Sequence, residues 1–298
     1  MNIPCAFGIS YNDSYPKGIL RIFHLSNSPI IFRLGIPLGI LGLWTGLAIL
    51  GPLLPLSPNA ITLPNILLPG NPEEWLGFDD LGRPIADRLI VGAQTSCFVA
   101  FTVVAISLSI GSLLGTISGY VGGWTDFAFV RIIDVFLAFP GILLAIALAG
   151  FMGPGIDNVV IALSVVGWVG YARLARAQVL SIKERDHVYA AVAIGTGPAG
   201  IIMRHLLPLI SAPLIVEASF GIAGVVIAEA GLSFLGLGVQ APAASWGNMI
   251  RDGTRYMLVA PHMVIAPGLA LMLVVLAVNL LGDWLRDWLD VKVQTRKE

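Results

Sequence analysis

Residues 93–118 read AQTSCFVAFTVVAISLSIGSLLGTIS, a run without a single charged side chain. A helix needs about 20 predominantly apolar residues to cross the hydrocarbon core of a membrane, and this run is long enough. The chain as a whole has the same character, since 56% of its 298 residues are hydrophobic, only 12% are charged, and its mean hydropathy is +0.86. Soluble domains carry about 25% charged residues. The composition therefore predicts an all-α integral membrane protein.

The same length criterion predicts six membrane-spanning helices. They lie near residues 30–54, 93–118, 127–151, 157–178, 209–236 and 263–285. Arg173 and Arg176 interrupt the fourth span and are expected where that helix leaves the membrane. Pro140 and Pro267 fall within the third and sixth spans. We expect both helices to continue through these prolines, because membrane helices tolerate proline where neighbours satisfy the freed carbonyl group.

Lysine and arginine are distributed unevenly between the connections. With the N-terminus inside, the external loops hold only Arg83, Arg88, Arg251 and Arg255. Because basic residues stay preferentially in the cytoplasm, both termini are predicted to be cytoplasmic. The chain then divides into a cytoplasmic segment at 1–29, the first helix with an external loop at 30–92, a transmembrane core at 93–285 that contains a cytoplasmic loop at 179–208, and a cytoplasmic tail at 286–298.

Glycines recur every four residues at the end of the second span. They are Gly111, Gly115, Gly119 and Gly123. Glycines at this spacing line one face of a helix and let another backbone approach closely, so the row predicts helix packing. A direct role in lining a pore is the alternative interpretation.

Four polar side chains fall within the spans, namely Asp134, Glu217, Glu229 and Asn279. A charge at the centre of a bilayer costs at least about 2.5 kcal/mol, so such groups face a partner or a watery cavity. Asp134 is three residues from Arg131, a spacing that allows a local ion pair. Glu217 and Glu229 lie near one face of their helix and could either hydrogen-bond between helices or line a translocation path. All four are candidates for that path.

The chain lacks the sequence signatures of common enzymes. It contains no GxxxxGK[ST] phosphate-binding loop, no HExxH, no GxSxG and no GxGxxG that opens a soluble strand–helix unit. We therefore predict no catalytic residue and no cofactor bound by this chain. The two cysteines, Cys5 and Cys97, and four scattered histidines predict no metal site. A net charge of −1 gives no reason to expect nucleic-acid binding.

The cytoplasmic loop contains the sequence KERDHVYAAVAIGTGPAGIIMRHLLP at 183–208. Residues 183–194 favour a short helix, and Gly195 can adopt the left-handed turn that ends one. Pro198 suits the first position of a second short helix, which Pro208 is expected to close. Small residues at the junction of the two helices are expected to be exposed, where another protein can sit closely.

This loop resembles the cytoplasmic coupling motif of ABC importer permeases, whose pattern is an acidic residue, two alanines, three variable residues and a glycine. Ala190, Ala191 and Gly195 match it, whereas Tyr189 stands at the acidic position. The resemblance extends over about 75–290. It includes WLGFDDLGR (75–83), GYVGGWTD (119–126), RIIDVFLAFPGILLAIAL (131–148), GYARLARAQVLS (170–181), AEAGLSFLGLGVQAP (228–242), SWGNMI (245–250) and NLLGDWLRDWLD (279–290).

Together these segments resemble the dipeptide/oligopeptide/nickel permease family, specifically the second of its two paired permease subunits. Pro84 departs from the family, which usually has aspartate after Gly-Arg. The resemblance implies a type I ABC importer fold with six helices, in the inner membrane of a bacterium. It also implies a heterodimer with a homologous permease, two cytoplasmic ATPase subunits that bind ATP and Mg, and an external substrate-binding protein.

The resemblance assigns contact with an ATPase subunit to one set of residues: Tyr189, Ala190, Ala191, Gly195, Thr196, Gly197 and Arg204. The expected cargo is a short peptide, and nickel or a metal chelate is the alternative. A stand-alone secondary carrier driven by an ion gradient is an alternative from another class, although the two halves show no clear internal repeat of the kind such carriers contain. A structural scaffold is the most distant alternative.

Overall fold

The computed structural model describes residues 34–72 and 74–289, and the regular secondary structure within them is helical, apart from one isolated bridge between Phe78 and Pro84. The predicted segment 1–29 and Cys5 lie outside the described residues, as does most of the predicted tail. The helices are α1 Ile36–Leu50, α2 Ile85–Val121, α3 Gly123–Leu137, α4 Gly141–Met152, α5 Ile156–Ile182, α6 Asp186–Ala193, α7 Pro198–Ile201, α8 Leu207–Phe234, α9 Trp246–Thr254 and α10 His262–Leu289.

Five segments are long and apolar enough to cross a membrane: Ile36–Leu53, Ile85–Val121, Ile156–Ile182, Pro198–Phe234 and His262–Leu289. A sixth is present if α3 and α4 count as one bent span. The prediction of about six spans is confirmed in this sense. The fourth predicted span is longer than expected, because α5 continues without interruption past Arg173 and Arg176 to Ile182.

The third span is broken, contrary to the expectation that it continues through Pro140. α3 ends at Leu137 and α4 begins at Gly141, with an angle of 81° between them. Proline has no N–H to donate to the preceding turn, and its ring clashes with the carbonyl group four residues earlier. Pro140 therefore serves as the N-cap of α4 instead, and its own carbonyl accepts from Leu143 and Leu144 at 3.0 and 3.1 Å. Pro267, in contrast, lies inside an unbroken α10.

α2 and α5 pack backbone against backbone along the glycine row. A Cβ atom added at Gly115 would lie 2.9 Å from the carbonyl carbon of Ala172, and one at Gly119 would lie 3.1 Å from Arg176 O. Gly111 likewise lies against the backbone of α5. Gly123 departs from the predicted row because α2 ends at Val121. Its φ of +59° belongs to a turn, and a Cβ atom there would have no neighbour within 4 Å.

Successive long helices run in alternating directions, so their connections collect at two ends of the molecule. The outer end, predicted to be external, contains residues 51–84, 153–155 and 235–261. It is tied together by the Gly155 N–H, which donates to Leu237 O at 3.2 Å, and by the Trp246 Nε1–H, which donates to Leu89 O at 3.0 Å. The inner end contains α6, α7 and the residues between α5 and α8.

A buried ion cluster fixes the loop that precedes α2 at the outer end. Arg83 Nε donates to Asp79 Oδ2 at 2.6 Å, and Arg88 Nε lies 3.5 Å from the same oxygen. Asp80 lies beside this pair. Burial, together with the negative charges of Asp79 and Asp252, raises the pKa of the Asp80 carboxyl, and the positive charge of Arg83 partly offsets this.

Candidate functional site

Two short helices form the loop at the inner end, and the turn between them has the predicted backbone conformation. Gly195 adopts a φ of +85°, which only glycine tolerates without strain. Its N–H donates to Val192 O at 2.9 Å, and the Thr196 N–H donates to Ala191 O at 3.0 Å. These two bonds form a Schellman motif, which satisfies carbonyl groups that α6 would otherwise leave free. Gly197 then precedes α7, which starts at Pro198 as predicted.

The prediction that Pro208 closes the second short helix is wrong. α7 continues through a π-type turn at Ile202–Leu206 directly into α8, and Pro208 lies in the first turn of α8. In the π-type turn the Leu207 N–H reaches back to Ile202 O. A turn widened in this way changes the hydrogen-bond register just before the proline, so that the missing N–H of Pro208 does not end the helix.

The loop buries one face and exposes the other. Val188 packs with Ile182 and Leu206 at the inner ends of α5 and α8. Ala191 is only 4% exposed, so the expectation that the small residues at the junction of the two short helices are exposed is wrong for this residue. It lies three residues after Val188, which places both on the buried face of α6. Ala190 lies on the other face and is exposed.

The exposed face carries large apolar side chains. They are Tyr189, Val192, Ile194 and Met203, and Ile194 is 83% exposed. Gly195, Gly197 and Arg204 are also exposed, and Thr196 is half-buried. We name Tyr189, Val192, Ile194 and Met203 the inner apolar patch. Several large apolar side chains exposed in one loop, at an end of the molecule that also carries charged residues, are typical of a surface that binds another protein.

A second feature is an open cavity of about 690 Å³ between α3, α5 and α8, which we name the inner cavity. Its lining includes Asp134 and Glu217, as predicted for a path, together with Arg173 and Arg176. Glu217 also lines two neighbouring cavities of about 330 and 500 Å³. The sequence pattern did not predict the two arginines at this cavity. The signal that could have found them is their spacing of three residues, which puts both side chains on one face of α5.

Two of these four charges are held by ion pairs within the chain. Arg176 donates to both carboxylate oxygens of Asp126, from Nε at 2.5 Å and from Nη2 at 2.6 Å. Asp134 Oδ2 lies 3.5 Å from Arg131 Nη1, and both of these side chains are exposed. The local ion pair that the three-residue spacing of Arg131 and Asp134 allows is therefore present.

The structure separates the other two candidate path residues from the cavity. Glu229 is only 2% exposed and accepts from Ser233 Oγ at 2.7 Å and from Ser96 Oγ at 3.5 Å. It thus joins α8 to α2 rather than lining a path. Asn279 donates from Nδ2 to Val275 O at 2.8 Å within its own helix. The spacing of Glu217 and Glu229 does not predict that only Glu217 lines the cavity, because the burial of each side chain depends on which neighbouring helices cover that turn of α8.

Metal ligands do not converge in the part of the chain that the structure describes, where no three His, Cys, Asp or Glu side chains could hold one ion together. Cys97 is a free, half-buried thiol within α2. The geometry around the inner cavity thus offers charged and apolar contacts to a ligand rather than a coordination site.

Comparison with known proteins gives consistent results. Residues 111–295 match the family model described as binding-protein-dependent transport system inner membrane component. The dipeptide transport system permease protein DppC of Alkalihalophilus pseudofirmus is 44% identical over 250 residues, which cover 84% of this chain and 82% of that protein. The nickel transport system permease protein NikC of Escherichia coli K12 is 39% identical over 242 residues, covering 81% of this chain and 87% of NikC.

The glutathione transport system permease protein GsiD of Pectobacterium atrosepticum is 43% identical over 221 residues, covering 74% of this chain and 73% of GsiD. Among solved structures, a chain of the MetNI methionine ABC transporter in an inward-facing conformation superimposes with a TM-score of 0.54. The match has 18% sequence identity and covers 69% of this chain and 98% of the MetNI chain. At this identity it shows a shared fold.

Proposed function

The chain belongs to the family of binding-protein-dependent transport system inner membrane components, and on this premise we propose that it is one of two different permease subunits of an importer of short peptides. Membership makes it a pore-forming subunit of an ABC importer in the inner membrane. It is not an enzyme, since ATP hydrolysis resides in separate subunits of such transporters. Membership in this family argues against the alternative of a stand-alone secondary carrier.

The inner apolar patch is the observation that carries the proposed mechanism. Tyr189, Val192 and Ile194 expose apolar surface at the inner end, whereas Val188 anchors the same helix to α5 and α8. A helix fixed on one face and apolar on the other suits a groove on a partner protein. The partner is proposed to be an ATPase subunit, which binds ATP and Mg. Movement of that subunit would pass through α6 to the helices around the inner cavity.

The remaining partners are proposed from the family. A homologous permease would complete the pore, a second ATPase subunit would dock on it, and an external binding protein would deliver cargo to the outer end. Tyr189 stands where the family motif has an acidic residue. It is exposed, so it would contact the ATPase through its ring and hydroxyl group instead of through a carboxylate.

A short peptide is the proposed cargo, and nickel or a metal chelate is the alternative. The relatives described above include permeases named for dipeptide, glutathione and nickel transport. Peptide is favoured because the lining of the inner cavity combines guanidinium groups with carboxylates, a mixture that suits the two oppositely charged ends of a peptide better than a free divalent cation.

The docking proposal is tested with Ile194→Asp, which places a charge in the inner apolar patch. Because Ile194 is 83% exposed, the substitution leaves the fold of the subunit intact. We expect the purified complex to lose its ATPase subunits and the cells to lose peptide uptake. Val259→Asp is the matched control, since Val259 is also an exposed aliphatic residue but lies at the outer end. Full retention of the ATPase subunits and of uptake in Ile194→Asp would refute the docking proposal.

A further inference from the structure

The inner cavity contains one positive and one negative side chain that have no partner in the described part of the chain. They are Arg173 on α5 and Glu217 on α8, and both are exposed to the cavity. No hydrogen bond or ion pair within residues 34–72 and 74–289 reaches either charged group. The other two charged residues of the lining, Arg176 and Asp134, are held by Asp126 and Arg131.

The two free charges lie at the same distance from the outer ends of their helices. Arg173 is seventeen residues from the outer end of α5 at Ile156, and Glu217 is seventeen residues from the outer end of α8 at Phe234. At 1.5 Å per residue, each is about 25 Å from the outer end of its helix. If the outer ends of the two helices lie at the outer membrane boundary, a hydrocarbon core of about 30 Å includes both residues near its inner boundary. Unpaired charges persist at such a depth where they face a water-filled cavity.

The charge balance of the cavity restricts the ligands that it favours. Because Arg176 and Asp134 each have an oppositely charged partner within the chain, the charges without such a partner are one guanidinium and one carboxylate. A free cation is repelled by the first and an anion by the second. A ligand with a positive and a negative group at separate positions satisfies both. The cavity volume of about 690 Å³ falls within the range of about 300–1,000 Å³ that is usual for small-molecule sites.

We propose that Arg173 and Glu217 form a binding site for the two charged ends of a zwitterionic ligand. Arg173 binds the carboxylate, since a guanidinium group can donate two parallel hydrogen bonds to it. Glu217 accepts from the ammonium group. This inference rests on the proposed function and deepens it, because an unblocked short peptide carries these two groups at its termini. It assigns a contact to the permease itself, separate from any selection made before the cargo reaches it.

The test measures ligand binding to the complete transporter in lipid nanodiscs, with the external binding protein omitted. Radiolabelled dialanine is the probe. The competitors are unlabelled dialanine, N-acetyl-dialanine, dialanine amide and the doubly blocked peptide. We expect dialanine to compete at least about tenfold better than the doubly blocked peptide, the factor that corresponds to losing a charge-assisted hydrogen bond.

Each variant should lose discrimination at one terminus only. Arg173→Gln should bind dialanine and dialanine amide alike yet still discriminate against N-acetyl-dialanine, and Glu217→Gln should show the opposite pattern. Arg173→Lys keeps the positive charge and should restore most of the preference for a free carboxylate. Glu229→Gln is the matched control on α8, since Glu229 is buried away from the cavity, and should leave the wild-type pattern unchanged.

Three results would overturn the inference. They are equal competition by blocked and unblocked peptides in the wild type, absence of saturable dialanine binding, and loss of the second permease from purified Arg173→Gln or Glu217→Gln complexes. The last result would assign the two charges to the interface between permeases. Import of dialanine by the complete system, with the binding protein and ATP in liposomes, is measured in parallel. Import without the binding pattern would refute the zwitterion site and leave the proposed function standing.

Discussion

Gly115→Ala places a methyl group at the contact between α2 and α5. The added Cβ atom would lie 2.9 Å from the carbonyl carbon of Ala172 and closer still to its oxygen. Ordinary van der Waals contact begins near 3.4 Å, so the two backbones must separate by at least 0.5 Å at this point. No side chain can rotate away to relieve the overlap, because the opposing atoms belong to the backbone of α5.

The expected cost is that of overpacking a tight interior, about 1–3 kcal/mol. The intrinsic preference of a helix for alanine over glycine, about 1 kcal/mol, offsets part of it. Gly150→Ala on α4 provides the control. Gly150 is also in a helix, but a Cβ atom there would meet nothing within 4 Å, so this substitution should be neutral or slightly stabilising.

The assay is thermal unfolding of the purified complex in nanodiscs, followed by the loss of monodisperse protein after heating. We expect Gly115→Ala to unfold at a lower temperature than wild type and Gly150→Ala at the same or a higher temperature. If both variants unfold together with wild type, α2 and α5 are not in backbone contact at this position and the packing argument fails.

The remaining predictions concern polar groups and use the same assay unless stated. Asp126→Asn should lower the free energy of unfolding by about 1–2 kcal/mol, because it removes a charge-assisted, bidentate interaction with Arg176. Arg131→Gln breaks an exposed ion pair with Asp134 and should lower it by less than about 1 kcal/mol. Equal effects of the two substitutions would contradict this prediction. Glu229→Gln should leave peptide uptake unchanged. Glu229→Ala should destabilise the complex by about 1–3 kcal/mol, because it leaves the hydroxyl groups of Ser96 and Ser233 without an acceptor. An uptake defect in a normally assembled Glu229→Gln complex would contradict the placement of Glu229 outside the path. Asp80→Asn should stabilise the complex at pH 7, because the raised pKa of Asp80 means that the folded state disfavours its charged carboxylate. The stabilisation should vanish as the pH falls through the raised pKa toward 3.8. A stabilisation that grows on acidification would contradict this direction of the pKa shift.

The number of spans and the turn at Gly195 were predictable because each depends on local sequence. Membrane crossing requires only length and apolarity, and a left-handed turn after a helix requires only glycine at the right place. The break at Pro140 was not predictable in the same way. Pro267 lies in an equally apolar sequence and leaves its helix intact, so the outcome depends on the packing around each proline.

The candidate path was predicted only in part, for a related reason. Asp134 and Glu217 line the inner cavity, but Glu229 is buried and Asn279 bonds to its own helix. Polarity within an apolar run indicates that a group needs a partner, and it does not say whether that partner is water, a ligand or a neighbouring helix. The sequence does not identify Arg173 as a residue of the cavity, because basic residues near a helix end usually mark the membrane boundary.

The glycine contacts between α2 and α5 determine which parts of the subunit can move against each other during transport. Two helices that touch through their backbones over successive turns resist sliding past each other, so we expect α2 and α5 to move together as a single rigid body. We therefore expect the inner cavity to open and close through α3 and the inner half of α8, because the outer half of α8 is joined to α2 through Glu229 and Ser96. Spin labels placed on α2 and α5 should keep one separation throughout the ATP cycle, while the separation between α5 and α8 changes.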